Sequence, residues 1–270
     1  MSLQTTDGET VLRDVVAEAT AKIGDRLAAV YAMGSLAHGG FSPAVSDVDV
    51  AVILTGPPQP GDHELVQGVI DAVQAVGSPL HQRLSIFWGT TESLRGDATA
   101  GRFPPLDRLC LFEHGRLLAG TDVRGDLPRP SQTELLVAGA QFAADLLAEP
   151  VITASADPAA LLERGVRPAT KLVLFPTRFL FTADTRREGT NDAAAQHYSE
   201  HHRGPAAELV AAAYRWRTAD PGPDAPALLN AGFTPLYTDY LSDHITRLTV
   251  LGETRLADRF AQWRSQLSAD

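Results

Sequence analysis

Two aspartates at the start of an apolar segment are the residues whose types and spacing most clearly indicate chemistry. They stand in Ser46-Asp47-Val48-Asp49, and the apolar residues 50–54 follow at once. Side chains at i and i+2 of a strand project from the same face, so we expect the two carboxylates to lie side by side. Mg²⁺ takes hard oxygen ligands, commonly one or two carboxylates together with substrate phosphates. The spacing therefore predicts a magnesium site.

A glycine-serine pair completes this pattern. The apolar residues 27–32 predict a buried strand, and Gly34-Ser35 follows it. A turn that begins with glycine lets backbone amides approach a phosphate closely. Each short motif alone also fits an ordinary turn and solvated aspartates, because short motifs have a high false-positive rate. The order strand, Gly-Ser, loop, Ser-Asp-x-Asp, strand favours a site for a metal and a nucleotide.

Two segments resemble one known family. Residues 34–54, GSLAHGGFSPAVSDVDVAVIL, resemble the Gly-Ser and Asp-x-Asp signature of the DNA polymerase β-like nucleotidyltransferase superfamily. Within it the chain is most similar to the aminoglycoside adenylyltransferases that modify streptomycin and spectinomycin, because residues 172–198 resemble a segment of that group with an internal arginine. This resemblance implies a Mg²⁺-dependent enzyme that moves AMP from ATP to a small-molecule hydroxyl and releases pyrophosphate. An aminoglycoside-like antibiotic is one candidate acceptor.

The resemblance also implies roles for individual residues. Asp47 and Asp49 are expected to be the catalytic metal ligands. The expected contacts to ATP are Gly34, Ser35, Ser46 and Arg178. For Arg178 the residues leave an alternative open, which is a surface ion pair with Asp184 or Glu188. The phosphate-binding lysine of the family falls here at Asn191-Asp192, so either Arg186 or Arg187 substitutes for it or ATP is held less tightly.

The chain departs from the family on its third predicted strand, residues 83–88. Family members usually carry a third carboxylate there, and in the adenylyltransferases it acts as the base. The alternation of this strand puts Ser85 at that position, and a serine hydroxyl is a poor base. Three alternatives follow: Glu92 is the catalytic base, proton transfer is solvent-mediated or substrate-assisted, or the protein binds nucleotide without efficient transfer. The last alternative describes a second function, a catalytically reduced nucleotide-binding or antitoxin-like regulatory module.

The sequence predicts an α+β fold in two domains. An N-terminal nucleotidyltransferase domain, 1–128, is expected to have a mixed sheet with flanking helices, and the C-terminal domain, 129–270, is expected to be all helical. A capping box, Ser131 with Glu134, follows the Pro-rich boundary. Further predicted elements are a helix over 9–23, a fourth strand over 109–113, a short extension at 117–118, and helices over 131–148, 158–183, 191–202, 204–218, 226–250 and 252–267. We expect the acceptor to bind between the domains.

Composition limits the partners. The chain has 270 residues, 33 of them acidic and 23 basic, for a net charge of −10. This balance argues against a nucleic-acid partner, since such proteins concentrate Lys and Arg. No run approaches the roughly 20 apolar residues of a membrane span, and residues 1–7 lack the pattern of a signal peptide, so we expect a cytoplasmic protein with no membrane partner. The expected partners are a nucleoside triphosphate and a small-molecule acceptor. Cys110, among apolar neighbours, is predicted to be a core residue.

Overall fold

The computed structural model describes residues 3–96 and 100–267. The chain divides into two compact units, Met1–Pro130 and Ser131–Asp270. In the described part, no single helix is long and apolar enough to cross a membrane, and one pair of helices, Gln132–Leu146 and Ala148–Ser155, passes the same test only as a pair bent by 55°.

The first unit contains a four-stranded mixed sheet. Its elements are α1 (Leu3–Ile23), β1 (Leu27–Ala32), α2 (Gly34–His38), β2 (Val48–Leu54), α3 (Asp62–Gln74), β3 (Leu84–Thr90), α4 (Pro105–His114) and β4 (Arg116–Gly120). The strand order is β3-β2-β1-β4. β1 is antiparallel to β2 and to β4, whereas β2 and β3 are parallel. The predicted mixed sheet with flanking helices is therefore confirmed.

Alternation along β2 separates two apolar layers. One layer packs the sheet against α1 and α3, and its β2 members are Val48, Val50, Val52 and Leu54. The opposite layer contains Ala51 and Ile53 of β2, together with Cys110 and Leu111 of α4. Asp49 has the same strand parity as Ala51, so it projects from this second face, which we call the site face. The predicted burial of Cys110 is confirmed, since 5% of the residue is exposed.

The predicted fourth strand at 109–113 is wrong. These residues belong to α4, which begins at Pro105 directly after Pro104. A short apolar run does not distinguish a strand from a buried helix, and proline at the first helical position favours a helix start. The fourth strand of the sheet is β4, which includes the predicted extension at 117–118.

The second unit is all helical among its described residues. Its α-helices are α5 (Gln132–Leu146), α6 (Ala148–Ser155), α7 (Val166–Thr185), α8 (Asn191–His201), α9 (Pro205–Arg215), α10 (Ala225–Leu251) and α11 (Thr254–Leu267). The capping box predicted at Ser131 and Glu134 is present. The single helix predicted over 158–183 is instead a 3₁₀ helix, Pro158–Arg164, followed by α7, because Gly165 between them has a φ of +99°.

A hydrogen-bond network fastens the segment after β4 to the site face. The buried Tyr31 hydroxyl donates to Asp122 Oδ1 at 3.0 Å and accepts from Val123 N at 2.8 Å. Burial raises the pKa of Tyr31 to about 12, so the phenol stays neutral and can donate. Arg124 donates to both carboxylate oxygens of Asp122, with Nη2 2.6 Å from Oδ2. These hydrogen bonds from Arg124 hold the pKa of the Asp122 carboxyl well below its ordinary value of 3.8.

The network predicts an acid-sensitive contribution to stability. Because the pKa of Asp122 is lower in the folded state, its contribution is complete above pH 3.8 and is lost as the pH falls below that value. Asp122→Asn should lower the free energy of unfolding at pH 7 by about 1 kcal/mol, a small value because the carboxylate is partly exposed. Urea unfolding at pH 7 and at pH values below 3.8 measures this, and the difference from wild type should shrink in acid.

Asp126→Asn is the control, because Asp126 is a more exposed carboxylate 3.7 Å from Arg95. It should leave the unfolding curve unchanged at both pH values. Equal destabilisation by the two variants at pH 7 would contradict a specific role for the Asp122 network.

Candidate active site

Close packing between Gly34 and Asp49 forms the centre of the candidate site. Met33 N donates to Asp49 O at 2.8 Å, which joins the end of β1 to the start of β2. Gly34 has a φ of +55°, and a Cβ built on it would lie 2.5 Å from Asp49 Oδ2. Such a distance excludes any side chain unless the carboxylate moves. Both the backbone conformation and the neighbouring carboxylate thus favour glycine here.

A compact loop leads to the first aspartate. Ser42 N donates to Ser46 Oγ at 3.0 Å, and Ser46 N donates to Ser42 O at 2.8 Å. Arg83 Nη1 also donates to Pro43 O at 2.7 Å. The loop ends at Asp47, a half-buried residue that directly precedes β2. The Ser46 hydroxyl therefore helps to shape the approach to Asp47, and its contact to a nucleotide stays a prediction.

The two aspartates have the chemistry of a shared magnesium site. Asp49 is half-buried on β2, and Asp47 stands two residues before it. Among the described residues, no group of three or more His, Cys, Asp or Glu side chains could hold a metal ion by itself. Two carboxylates that leave further positions to phosphate oxygens suit Mg²⁺, which rarely occupies a cage made only of protein ligands. The residues present fit that ion when a nucleotide supplies the remaining ligands.

The Gly-Ser pair begins a short helix instead of a simple turn. α2 starts at Gly34, and the Gly34 amide donates to Cys110 Sγ at 3.3 Å. The Gly34 amide is therefore engaged by α4, which leaves the amide and hydroxyl of Ser35 as the expected phosphate contacts. The contact of Gly34 with Cys110 has no signal in the sequence, because the two residues lie 76 positions apart and nothing local pairs them.

The strand register separates the two residues considered for the base position. Ser85 is the direct partner of Asp49 in the parallel pair of β2 and β3. Thr91 N donates to Leu54 O at 2.9 Å, so Glu92 lies beyond the opposite end of β2. Leu54 is five positions after Asp49, which corresponds to about 17 Å along the strand. The structure thus does not bring Glu92 to the aspartate pair, contrary to the expectation that it is the catalytic base.

Arg178 lies on α7 of the second unit and has contacts within that unit. Its Nε donates to Gly189 O at 2.6 Å, and its Nη2 is 3.9 Å from Glu188 Oε1. Asp184 instead contacts Arg247 and His197. Of the two acidic residues considered as ion-pair partners of Arg178, the structure shows a contact with Glu188. A role for Arg178 at the nucleotide phosphates stays a prediction.

The first unit combines a mixed sheet, a helix that starts at Gly34 after one strand, and an Asp-x-Asp pair at the start of the next strand. Together with the helical second unit, this arrangement is similar in fold to a solved adenyltransferase. The structure is similar to that of spectinomycin adenyltransferase AAD(9) from Enterococcus faecialis, solved with ATP and spectinomycin. The two share 13% sequence identity with a TM-score of 0.57, over 96% of this chain and 99% of that chain. Neither models of protein families nor curated protein sequences give a match.

The packing of Gly34 against Asp49 predicts the effect of adding one methyl group. Gly34→Ala combines a left-handed backbone conformation, worth about 1–2 kcal/mol, with overpacking against Asp49, worth about 1–3 kcal/mol. We expect the free energy of unfolding to fall by roughly 2–5 kcal/mol on those two grounds. Urea unfolding of the purified variant measures this.

Gly24→Ala is the matched control. Gly24 has nearly the same backbone conformation, with a φ of +58°, and a Cβ there would meet nothing within 4 Å. It should cost only the backbone strain, about 1–2 kcal/mol. If Gly34→Ala were no more destabilising than Gly24→Ala, the close approach of the Asp49 carboxylate would be contradicted.

Proposed function

We propose that this protein is a Mg²⁺-dependent adenylyltransferase that moves AMP from ATP to a hydroxyl group of a small molecule and releases pyrophosphate. The observation that carries the proposal is the placement of Asp49 on the site face against Gly34, with Asp47 two residues before it. The likeness in fold to an adenyltransferase solved with ATP supports the choice of nucleotide.

The residues of the site act by positioning and by charge. Asp47 and Asp49 would hold the metal, and Ser35 would contribute its amide and hydroxyl to a phosphate of ATP. When bound, Mg²⁺ neutralises charge that develops on the α-phosphate and on the departing pyrophosphate. The acceptor oxygen forms the new bond to the α-phosphorus, and the bond from that phosphorus to the pyrophosphate oxygen breaks. Positioning and electrostatic stabilisation supply most of the rate in phosphoryl transfer.

The acceptor is proposed from charge and from the structural neighbour. The chain carries a net charge of −10, and an acidic protein attracts cationic molecules through its long-range field. AAD(9) was solved with spectinomycin. We therefore propose a cationic, hydroxyl-bearing acceptor such as an aminocyclitol or aminoglycoside antibiotic.

Pyrophosphate release tests the proposal. Wild-type protein with ATP, Mg²⁺ and a panel containing spectinomycin, streptomycin and other aminoglycosides should release pyrophosphate only when an acceptor is present. Asp49→Asn and Asp47→Asn should each lower the rate by about 10²-fold or more, because the metal and its phosphate contacts are weakened. A coupled phosphate assay with pyrophosphatase provides the measurement.

Asp71→Asn is the control for these variants. Asp71 is an exposed aspartate on α3 that accepts a hydrogen bond from Gln67 Nε2 at 2.7 Å. Its release rate should equal that of wild type. If wild-type protein released pyrophosphate no faster than Asp49→Asn with every acceptor, the proposed adenylyltransferase activity would be contradicted.

One observation favours a second candidate function. Ser85 stands beside Asp49 where the resembling enzymes have a carboxylate, which removes a proton acceptor from β3. A catalytically reduced nucleotide-binding or antitoxin-like module would bind ATP and Mg²⁺ without turnover. Calorimetric binding of ATP in the absence of any acceptor-dependent pyrophosphate release would select that function.

A further inference from the structure

Adenylyl transfer is faster when a positioned group takes the proton of the acceptor hydroxyl, and neither Ser85 nor Glu92 provides such a group beside Asp49. Ser85 occupies the position beside Asp49, and Glu92 lies at the opposite end of β2. A positioned general base contributes about 10²–10⁴-fold to such a step. The helix that packs on the site face, α4, carries other carboxylates.

The segment that leads into α4 packs on β3. Arg102 and Trp88 exchange two backbone hydrogen bonds, each of 2.9 Å. The Phe103 ring stacks on the Phe87 ring, with 6.1 Å between centroids and 23° between planes. Phe87 follows Ser85 by two residues, so both project from the site face. The chain thus enters α4 close to the Ser85 side chain.

The C-terminal half of α4 contacts residues that follow β1. Cys110 Sγ accepts the Gly34 amide at 3.3 Å, and Gly34 packs against the Asp49 carboxylate. One turn later the His114 and His38 rings are in contact, with 5.6 Å between centroids. α4 therefore crosses the site face from β3 towards the end of β1, and β2 lies between these two strands.

Asp107 lies between these two fixed points. It comes four residues after Phe103 and three before Cys110, and residues three apart share one side of a helix. That side of α4 is the side that reaches Gly34 and, through it, Asp49. Asp107 is half-buried, which is unusual for a carboxylate at the sheet-facing side of a helix with apolar neighbours. Because α4 runs from β3 towards the end of β1, its middle turn, which includes Asp107, crosses the part of β2 that contains Asp49.

We propose that Asp107 is the catalytic base, a role that Ser85 cannot fill. This inference rests on the proposed adenylyl transfer. The O–H bond of the acceptor breaks and its proton moves to the Asp107 carboxylate. The same oxygen forms the new bond to the α-phosphorus of ATP, and pyrophosphate leaves with the electron pair of the bond that breaks. The proton passes from Asp107 to solvent after product release.

The other acidic residue of α4 near Cys110 has a different location. Glu113 lies on the turn that contacts His38, at the far end of α2 from Gly34, and its carboxylate is 3.9 Å from His114 Nε2. Asp107 also does not join Asp47 and Asp49 in a metal-binding group of three, since the described residues contain no such group. A carboxylate that does not ligate the metal can take up and release a proton in each turnover.

Steady-state kinetics of matched variants test this assignment. Asp107→Asn should lower kcat by about 10²–10⁴-fold, while the KM for ATP stays near wild type. It should also remove the acid limb of the pH–rate profile, because that limb reports protonation of the base. Glu113→Gln and Glu92→Gln are the matched controls, and both should keep the wild-type kcat and acid limb.

Asp107→Glu keeps a carboxylate and guards against loss of folding. It should retain part of kcat and move the acid limb to higher pH, because a glutamate has the higher ordinary pKa. A wild-type kcat in Asp107→Asn, or an unmoved acid limb in Asp107→Glu, would overturn the assignment. If transfer is abolished by Asp49→Asn but persists in Asp107→Asn, the base assignment fails alone. If wild type transfers nothing, the proposed function fails and the base assignment fails with it.

Discussion

The contact between the Asp49 carboxylate and Gly34 is the constraint on which the rest of the site depends. A Cβ at Gly34 would lie 2.5 Å from Asp49 Oδ2, so a larger residue at this position would displace the carboxylate from its place. The same glycine begins α2 and gives its amide to Cys110 of α4. One residue without a side chain therefore fixes two strands and two helices around a single carboxylate.

The alternation of β2 explains why this carboxylate is available for chemistry. The valines of β2 pack against α1 and α3, so residues of the opposite parity face the other layer. Asp49 is the first of these and lies at the end of the sheet, where it remains half-buried. A charged group there avoids the large cost of full burial and still lies in a medium where electrostatic interactions are stronger than in water. That location suits a metal ligand that must meet a substrate.

Local sequence patterns predicted much of the architecture, because the signals were local. The apolar alternation around Asp49 predicted β2, and Ser131 with Glu134 predicted the start of α5. The residues 109–113 fit a strand as well as a helix, because a short apolar run does not distinguish the two. Packing on the sheet decides for the helix α4. A helix at this position is what brings Asp107 onto the site face.

The remaining features depend on register and on contacts between distant residues. The parallel pairing of β2 with β3 places Ser85 beside Asp49 and Glu92 about 17 Å further along the strands, and residue spacing alone does not fix that pairing. The hydrogen bond from Gly34 to Cys110 had no sequence signal. The spacing of Asp107 and Cys110 is a sequence signal that the two residues share one side of a helix. That signal applies only when residues 105–114 are known to form a helix.

Calorimetric titration of ATP tests most directly the central claim that Asp47 and Asp49 form a metal and nucleotide site. Wild-type protein should bind ATP in the presence of Mg²⁺, and the binding should be lost when the metal is removed by a chelator. Asp49→Asn should show no Mg²⁺-dependent binding, whereas Asp71→Asn should bind ATP as wild type does. Equal ATP affinity in wild type and Asp49→Asn, with and without Mg²⁺, would contradict a metal and nucleotide site at Asp47 and Asp49.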